Sequence, residues 1–100
     1  MTPKTLSLLG MARRAGKITS GESQVEAYLK KEKGFLLLIA ADSPGAVSKY
    51  RRWAEDSHIP VLIDGTKQEL GTAIGLSPRA LILVMDEGFA QAIIKSGTVS

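Results

Sequence analysis

The chain of 100 residues has no cysteine, one histidine, one tryptophan, and no apolar run longer than Phe35 to Ala41. Without thiols there is no disulfide framework and no thiolate metal site. The apolar run is roughly a third of the ~20 residues that a bilayer-crossing helix requires. Gly10, Arg13 and Arg14 interrupt the apolar positions near the N-terminus, so no secretory leader is read there. The lone His58 follows Asp56 and Ser57 in one polar junction. Triad partners meet across a fold, not along a tripeptide, so neither a triad nor a metal pair is expected. Neither G-x-G-x-x-G nor G-x-x-x-x-G-K-[ST] occurs, so the glycine-rich phosphate cradles are missing too. The readiest enzyme classes drop out. A soluble, cytoplasmic, monomeric protein with no cofactor and no metal is expected.

What is present is an ample core and an uneven charge. Hydrophobic residues make up 44% of the chain, enough for one small domain, expected over 1–97 with a frayed tail at 98–100. Net charge is +3. Residues 1–33 hold seven Lys or Arg against three Glu, giving +4, and the remainder holds six basic against seven acidic residues, giving −1. A positive excess confined to the first third favours a polyanionic partner, although a solvated basic face has the same composition.

The chain alternates helical and strand patterns. Thr2-Pro3 is a cap followed by proline at the first helical position, with Leu6, Leu9 and Ala12 at helical spacing. A short strand at Ile18-Thr19 and a helix from about Gly21 to Glu32 follow, the latter with Val25, Tyr28 and Leu29 on its inner face. Phe35 to Ala40 is continuously apolar, the mark of a strand covered on both faces. Asp42-Ser43-Pro44 opens a third helix. Ile59 to Ile63 is a strand, Thr66-Lys67-Gln68-Glu69 a capping box, Leu76 to Arg79 a loop, Ala80 to Met85 a strand, and a last helix begins near Glu87. This pattern predicts an α/β protein, a three-layer α/β/α sandwich around a largely parallel or mixed sheet.

Two constellations carry chemistry. Asp42, Asp64 and Asp86 each follow a strong strand; in an all-parallel sheet they would share one edge as a carboxylate cluster. Helix capping explains the same residues. The second constellation is Arg13-Arg14-Ala15-Gly16-Lys17 running into Thr19-Ser20-Gly21-Glu22. It sets cations beside a helix N-terminus, whose unpaired N–H groups and positive partial charge seat phosphates and base acceptors. Thr19 and Glu22 also fit an ordinary capping box. Lys49, Arg51, Arg52 and Trp53 form another basic cluster, with Trp53 read as a core-boundary residue rather than a base-stacking one.

Gly16-Lys17-Ile18-x-x-Gly21, the Leu-Ile-Ala-x-Asp stretch at Asp42, Ile59-Pro60-Val61, and Lys67-x-Glu69-Leu70-Gly71-x-x-x-Gly75 stand in one order along residues 5 to 95. Together they resemble the kink-turn-binding ribosomal protein superfamily of the L7Ae and L30e type, and within it the bacterial YlxQ-type branch. The resemblance implies a four-stranded mixed sheet, no enzymatic activity, no cofactor, and binding to a bent RNA. It also implies a two-part site. One part is Gly21, Glu22, Ser23 and Gln24, supported by Lys17; the other is Leu76, Ser77, Pro78 and Arg79. Strong binders of that superfamily carry Gly-x-Asn-Glu-x-x-Lys in the first part, where this chain has Ser23, Gln24 and Ala27. Serine and glutamine also hydrogen-bond to base edges. Arg13, Arg14, Lys17, Lys67 and Arg79 are the expected phosphate contacts, with ribosomal or other structured RNA as partner. The alternative is a protein-interaction module on the same fold, using its third and fifth helices.

Overall fold

The structure is a computed structural model and describes residues 1–98. In chain order the elements are α1 (Pro3–Arg14), β1 (Ile18–Ser20), α2 (Glu22–Lys30), β2 (Leu36–Ile39), α3 (Pro44–Asp56), β3 (Val61–Ile63), α4 (Lys67–Ala73), β4 (Leu81–Val84) and α5 (Glu87–Thr98). The expected frayed tail, 98–100, lies outside the described residues apart from the helical backbone of Thr98.

The four strands form one mixed sheet in the order β1-β4-β2-β3. β2 and β3 are parallel, with Leu38 opposite Leu62; β4 runs antiparallel to β2 and to β1, with Leu83 opposite Leu37 and Thr19. Strand side chains alternate in direction, so a continuous apolar run serves two cores at once. Leu36, Leu38, Ile82 and Val84 pack with Leu9, Leu70, Ile74 and Ile93 of α1, α4 and α5. Leu37, Ile39, Leu81 and Leu83 pack on the other face with Val25, Leu29, Tyr50 and Ala54 of α2 and α3. Full burial of each such aliphatic side chain contributes about 1.5–3 kcal/mol, which is why both short central strands hold. The expected three-layer sandwich is the observed one.

Three local expectations are corrected. Tyr28 is 37% exposed rather than inward, and α2 stops at Lys30, not Glu32. Val25 and Leu29, four residues apart, define the buried stripe of this short helix, and Tyr28 lies one residue, about 100°, off it. Asp42 does not cap α3; its Oδ1 accepts from the Lys67 N–H of α4 at 3.0 Å. Trp53 sits half-buried, stacked on Tyr50 with ring centroids 6.1 Å apart, in agreement with its reading as a core-boundary residue.

This topology decides what meets at each end of the sheet. β1, β2 and β3 share one direction, so the starts of α2, α3 and α4 lie along one edge. β4 enters the sheet from that same edge, which brings the 76–80 loop there. Asp86 follows the far end of β4 and therefore lies at the opposite edge from Asp42 and Asp64.

Candidate nucleic-acid interface

α2 starts where β1 ends, with Gly21 as N-cap at φ 91° and ψ 150°, a conformation essentially reserved for glycine. A cap without a side chain leaves donors bare. The first backbone bond of the helix runs from the Val25 N–H to the Gly21 carbonyl at 3.1 Å. The N–H groups of Glu22, Ser23 and Gln24 have no acceptor among the described residues, and all three residues are exposed. The expected Thr19–Glu22 capping box is not formed. Such a box needs its acid at the third helical position, whereas Glu22 is the first, because Thr19 and Ser20 belong to β1. The Thr19 hydroxyl donates instead to Gln24 Oε1 at 2.7 Å.

Beside this tip runs the 76–80 loop, fastened to α4. The Leu76 N–H donates to the Gly71 carbonyl at 2.8 Å and the Arg79 N–H to the Lys67 carbonyl at 3.1 Å. A Cβ on Gly71 would fall on the Ser77 carbonyl and 2.8 Å from the Pro78 Cα, so the loop lies this close only because position 71 is glycine. Arg79 Nη1 turns back onto the loop, sharing its protons among the Ser77 carbonyl (3.0 Å), Ser77 Oγ (2.6 Å) and the Pro78 carbonyl (3.2 Å). From the end of α1, Arg13 Nη1 donates to the Ile74 carbonyl at 2.9 Å and closes the C-terminus of α4.

The tip, the strand and the loop enclose a cleft of about 310 Å³ lined by Arg13, Ile18, Thr19, Ser20, Gln24, Leu76 and Arg79. Two guanidinium groups and no carboxylate line it. Such a surface attracts an anion, and beside it three bare N–H groups offer directed donors. Of the expected site residues, the structure brings Arg13, Gln24, Leu76 and Arg79 into the cleft. Gly21, Glu22 and Ser23 form the tip beside Gln24, and Ser77 and Pro78 the loop beside Leu76. Arg14 does not line the cleft; it shares a neighbouring depression with Arg13, Thr72 and Gly75. Lys17 precedes β1 at the opposite edge of the sheet, where its carbonyl accepts from the Met85 N–H at 2.7 Å. Lys67 is exposed at the start of α4, joined to Arg79 through the backbone. Ile18, Thr19 and Ser20 were not expected as lining residues. No local pattern singled them out, since the Thr19 hydroxyl is as well placed in the sequence to cap α2 as to reach Gln24.

The carboxylate cluster does not form. Asp42 serves the start of α4, Asp64 Oδ1 accepts from the Gly65 N–H at 2.8 Å, and Asp86 Oδ2 caps α5 through the Phe89 N–H at 2.9 Å. The antiparallel β4 separates Asp86 from the other two. Among the described residues no group of three or more His, Cys, Asp or Glu side chains could hold a metal ion. His58 is exposed and Ser57 Oγ donates to the Leu29 carbonyl, so these neighbours are not joined for catalysis. No helix among the described residues is long and apolar enough to cross a membrane.

Away from the cleft, α2 and α3 are joined by a short hydrogen bond from the Tyr50 hydroxyl to Glu26 Oε2, with Lys49 Nζ 3.4 Å from the same oxygen. The Tyr50 hydroxyl, and then Lys49, hold the Glu26 carboxyl below its ordinary value. Burial pushes the Tyr50 phenol up.

Comparison with known proteins gives matches over nearly the whole chain. Residues 4–94 match the ribosomal protein L7Ae/L30e/S12e/Gadd45 family. The RNA-binding protein YlxQ of Bacillus subtilis is 32% identical over 88 residues, covering 87% of this chain and 88% of the relative. Large ribosomal subunit protein eL8 of Thermoplasma volcanium is 29% identical, covering 96% of this chain and 81% of the relative. A solved Bacillus halodurans protein of unknown function superposes with a TM-score of 0.88 at 34% identity, covering 94% of this chain and 96% of that one.

Proposed function

Since the chain belongs to the ribosomal protein L7Ae/L30e/S12e/Gadd45 family, we propose that it is a non-catalytic RNA-binding protein that docks a bent, kink-turn-like RNA. The observation that carries this reading is a coincidence of place. The bare N–H groups of Glu22, Ser23 and Gln24 open at the same sheet edge as a cleft lined by Arg13 and Arg79. The guanidinium groups contact phosphates, with Arg14 and Lys67 as flanking cations. Ser23 and Gln24 meet base edges, and Leu76, 37% exposed, gives an unstacked base an apolar surface. A-form RNA hides its bases in a deep groove, so a protein offering one short tip needs RNA that is kinked or looped. The YlxQ relative is named an RNA-binding protein and the eL8 relative a ribosomal one, which supports structured or ribosomal RNA as the partner of a single-domain, cytoplasmic monomer.

A gel shift against a kink-turn duplex and a straight duplex of equal length, over a salt series, tests the reading. Tighter binding to the kinked duplex is expected, with log K falling by roughly 0.7–0.9 per phosphate neutralised for each unit of log salt. Equal affinity for both duplexes removes the bent-RNA part, and no binding to either removes the function. A second reading, a protein-interaction module, is favoured by a groove of about 490 Å³ at the opposite edge, where α5 residues Glu87, Gln91 and Ile94 meet Phe35, His58 and Pro60. Phe35 is 43% exposed there. Recovery of protein but no RNA in a pull-down at moderate salt is the outcome that favours it.

A further inference from the structure

We infer that Thr19 is a positioning residue that fixes the Gln24 amide, so that the cleft offers a hydrogen-bond donor to the acceptor edge of a purine. The inference rests on the RNA-binding reading and deepens it. Thr19 stands in the middle of β1, opposite Leu83, which fixes its backbone within the sheet. Ile18, its neighbour, packs into the core with α1, α4 and α5, so by strand alternation Thr19 turns to the α2 face. There its hydroxyl donates to Gln24 Oε1 at 2.7 Å, and both side chains line the cleft.

An amide carries one acceptor atom and one two-proton donor. With Oε1 drawn to Thr19, the Nε2 protons are left with no partner among the described residues. A glutamate at this place has acceptors only, so the two side chains favour opposite edges. The donor favours O6 and N7 of guanine or N7 of adenine. The bare Glu22, Ser23 and Gln24 N–H groups have the same polarity, so the backbone of the tip donates as well. A base presenting donors there leaves protons facing protons, and specificity follows from that mismatch as well as from the match.

The probe is a kink-turn duplex whose tandem G·A guanines are replaced by 2-aminopurine, which lacks O6, or by 7-deazaguanine, which lacks N7. Both analogues keep the N2 and N3 edge used in sheared pairing. The native protein is expected to lose about twofold to tenfold in affinity for at least one substituted duplex, the value of one neutral hydrogen bond. Thr19→Val keeps the shape, removes the hydroxyl, and should bind all the duplexes nearly alike; Thr19→Ser should restore the preference. Gln24→Glu, which leaves Thr19 in place, should also lose the preference, so the outcome does not depend on one variant folding. A preference retained by Thr19→Val or by Gln24→Glu overturns the role. So does a native protein that binds the duplex with no preference. If the native protein binds neither kinked nor straight duplex, the RNA reading itself falls, which is distinguishable from failure of the Thr19 role alone.

Discussion

α2 and α4 both begin at the same edge of the sheet, immediately after strands that run the same way, yet their first turns are built in opposite fashion. α4 is sealed: Thr66 Oγ1 accepts from the Glu69 N–H at 3.0 Å, Glu69 Oε1 accepts from the Thr66 N–H at 3.1 Å, and Asp42 takes the Lys67 N–H. α2 starts on a glycine with three donors bare. The difference lies at the cap: Thr66 is extended backbone carrying a hydroxyl, whereas Gly21 has a φ of 91° and no side chain. Where a hydroxyl and a carboxylate stand, the helix start is committed to stability. Where only hydrogen stands, it is left available to a ligand, and solvent satisfies it meanwhile.

The sharpest way to break this contrast is at Gly71, which lets the loop lie against α4. Gly71→Ala forces a methyl group into backbone that cannot yield. It should cost about 1–3 kcal/mol, read as a melting temperature lower by about 4–8 °C per kcal/mol, with weaker binding to every RNA. An unchanged melting temperature would show that the loop is not held as described. Gln24→Ala should leave melting nearly untouched and cost about 1–3 kcal/mol of affinity on a preferred RNA, with little effect on others. Thr66→Ala should do the reverse, losing about 0.5–2 kcal/mol of stability with no change in RNA preference. If both variants moved stability and binding together, the division between sealed and open helix starts would fail. Lys67→Ala should weaken all RNAs alike and lower the salt slope by about one phosphate, seen as parallel binding isotherms.

The smallest expected effect concerns the far side of α2. Glu26 titrates below its ordinary value in the folded chain, chiefly through the Tyr50 hydroxyl. A carboxyl depressed on folding stabilises above its unfolded value and loses that contribution as pH falls through the folded one. Tyr50→Phe should therefore flatten the decline in stability on acidification below about pH 4.5, the ordinary glutamate value, as read by thermal melts across acid pH. Neither Glu26 nor Tyr50 lines the cleft, so RNA preference at neutral pH should not change.

Much of the fold was legible in residue order. Proline after Thr2, the Thr66–Glu69 box and the two continuous apolar runs named most elements, because each depends on chemistry within a few residues. The candidate site was legible only in part. Gly21 to Gln24 and Leu76 to Arg79 stood out through the resemblance, but nothing local told that Thr19 would reach Gln24 instead of capping α2. Nor did local pattern tell that Arg13 would span to the Ile74 carbonyl, 61 positions away.

By itself the sequence determined the alternation of elements, the doubly covered strands and the cationic first third, since spacing and composition are local quantities. Strand direction was left to the tertiary structure. The antiparallel entry of β4 sent Asp86 away from Asp42 and Asp64 and delivered the 76–80 loop to the tip of α2. The reason is physical: hydrogen-bond pairing between strands far apart in the chain is selected by how both faces of the sheet bury together, and no short window of residues contains that energy.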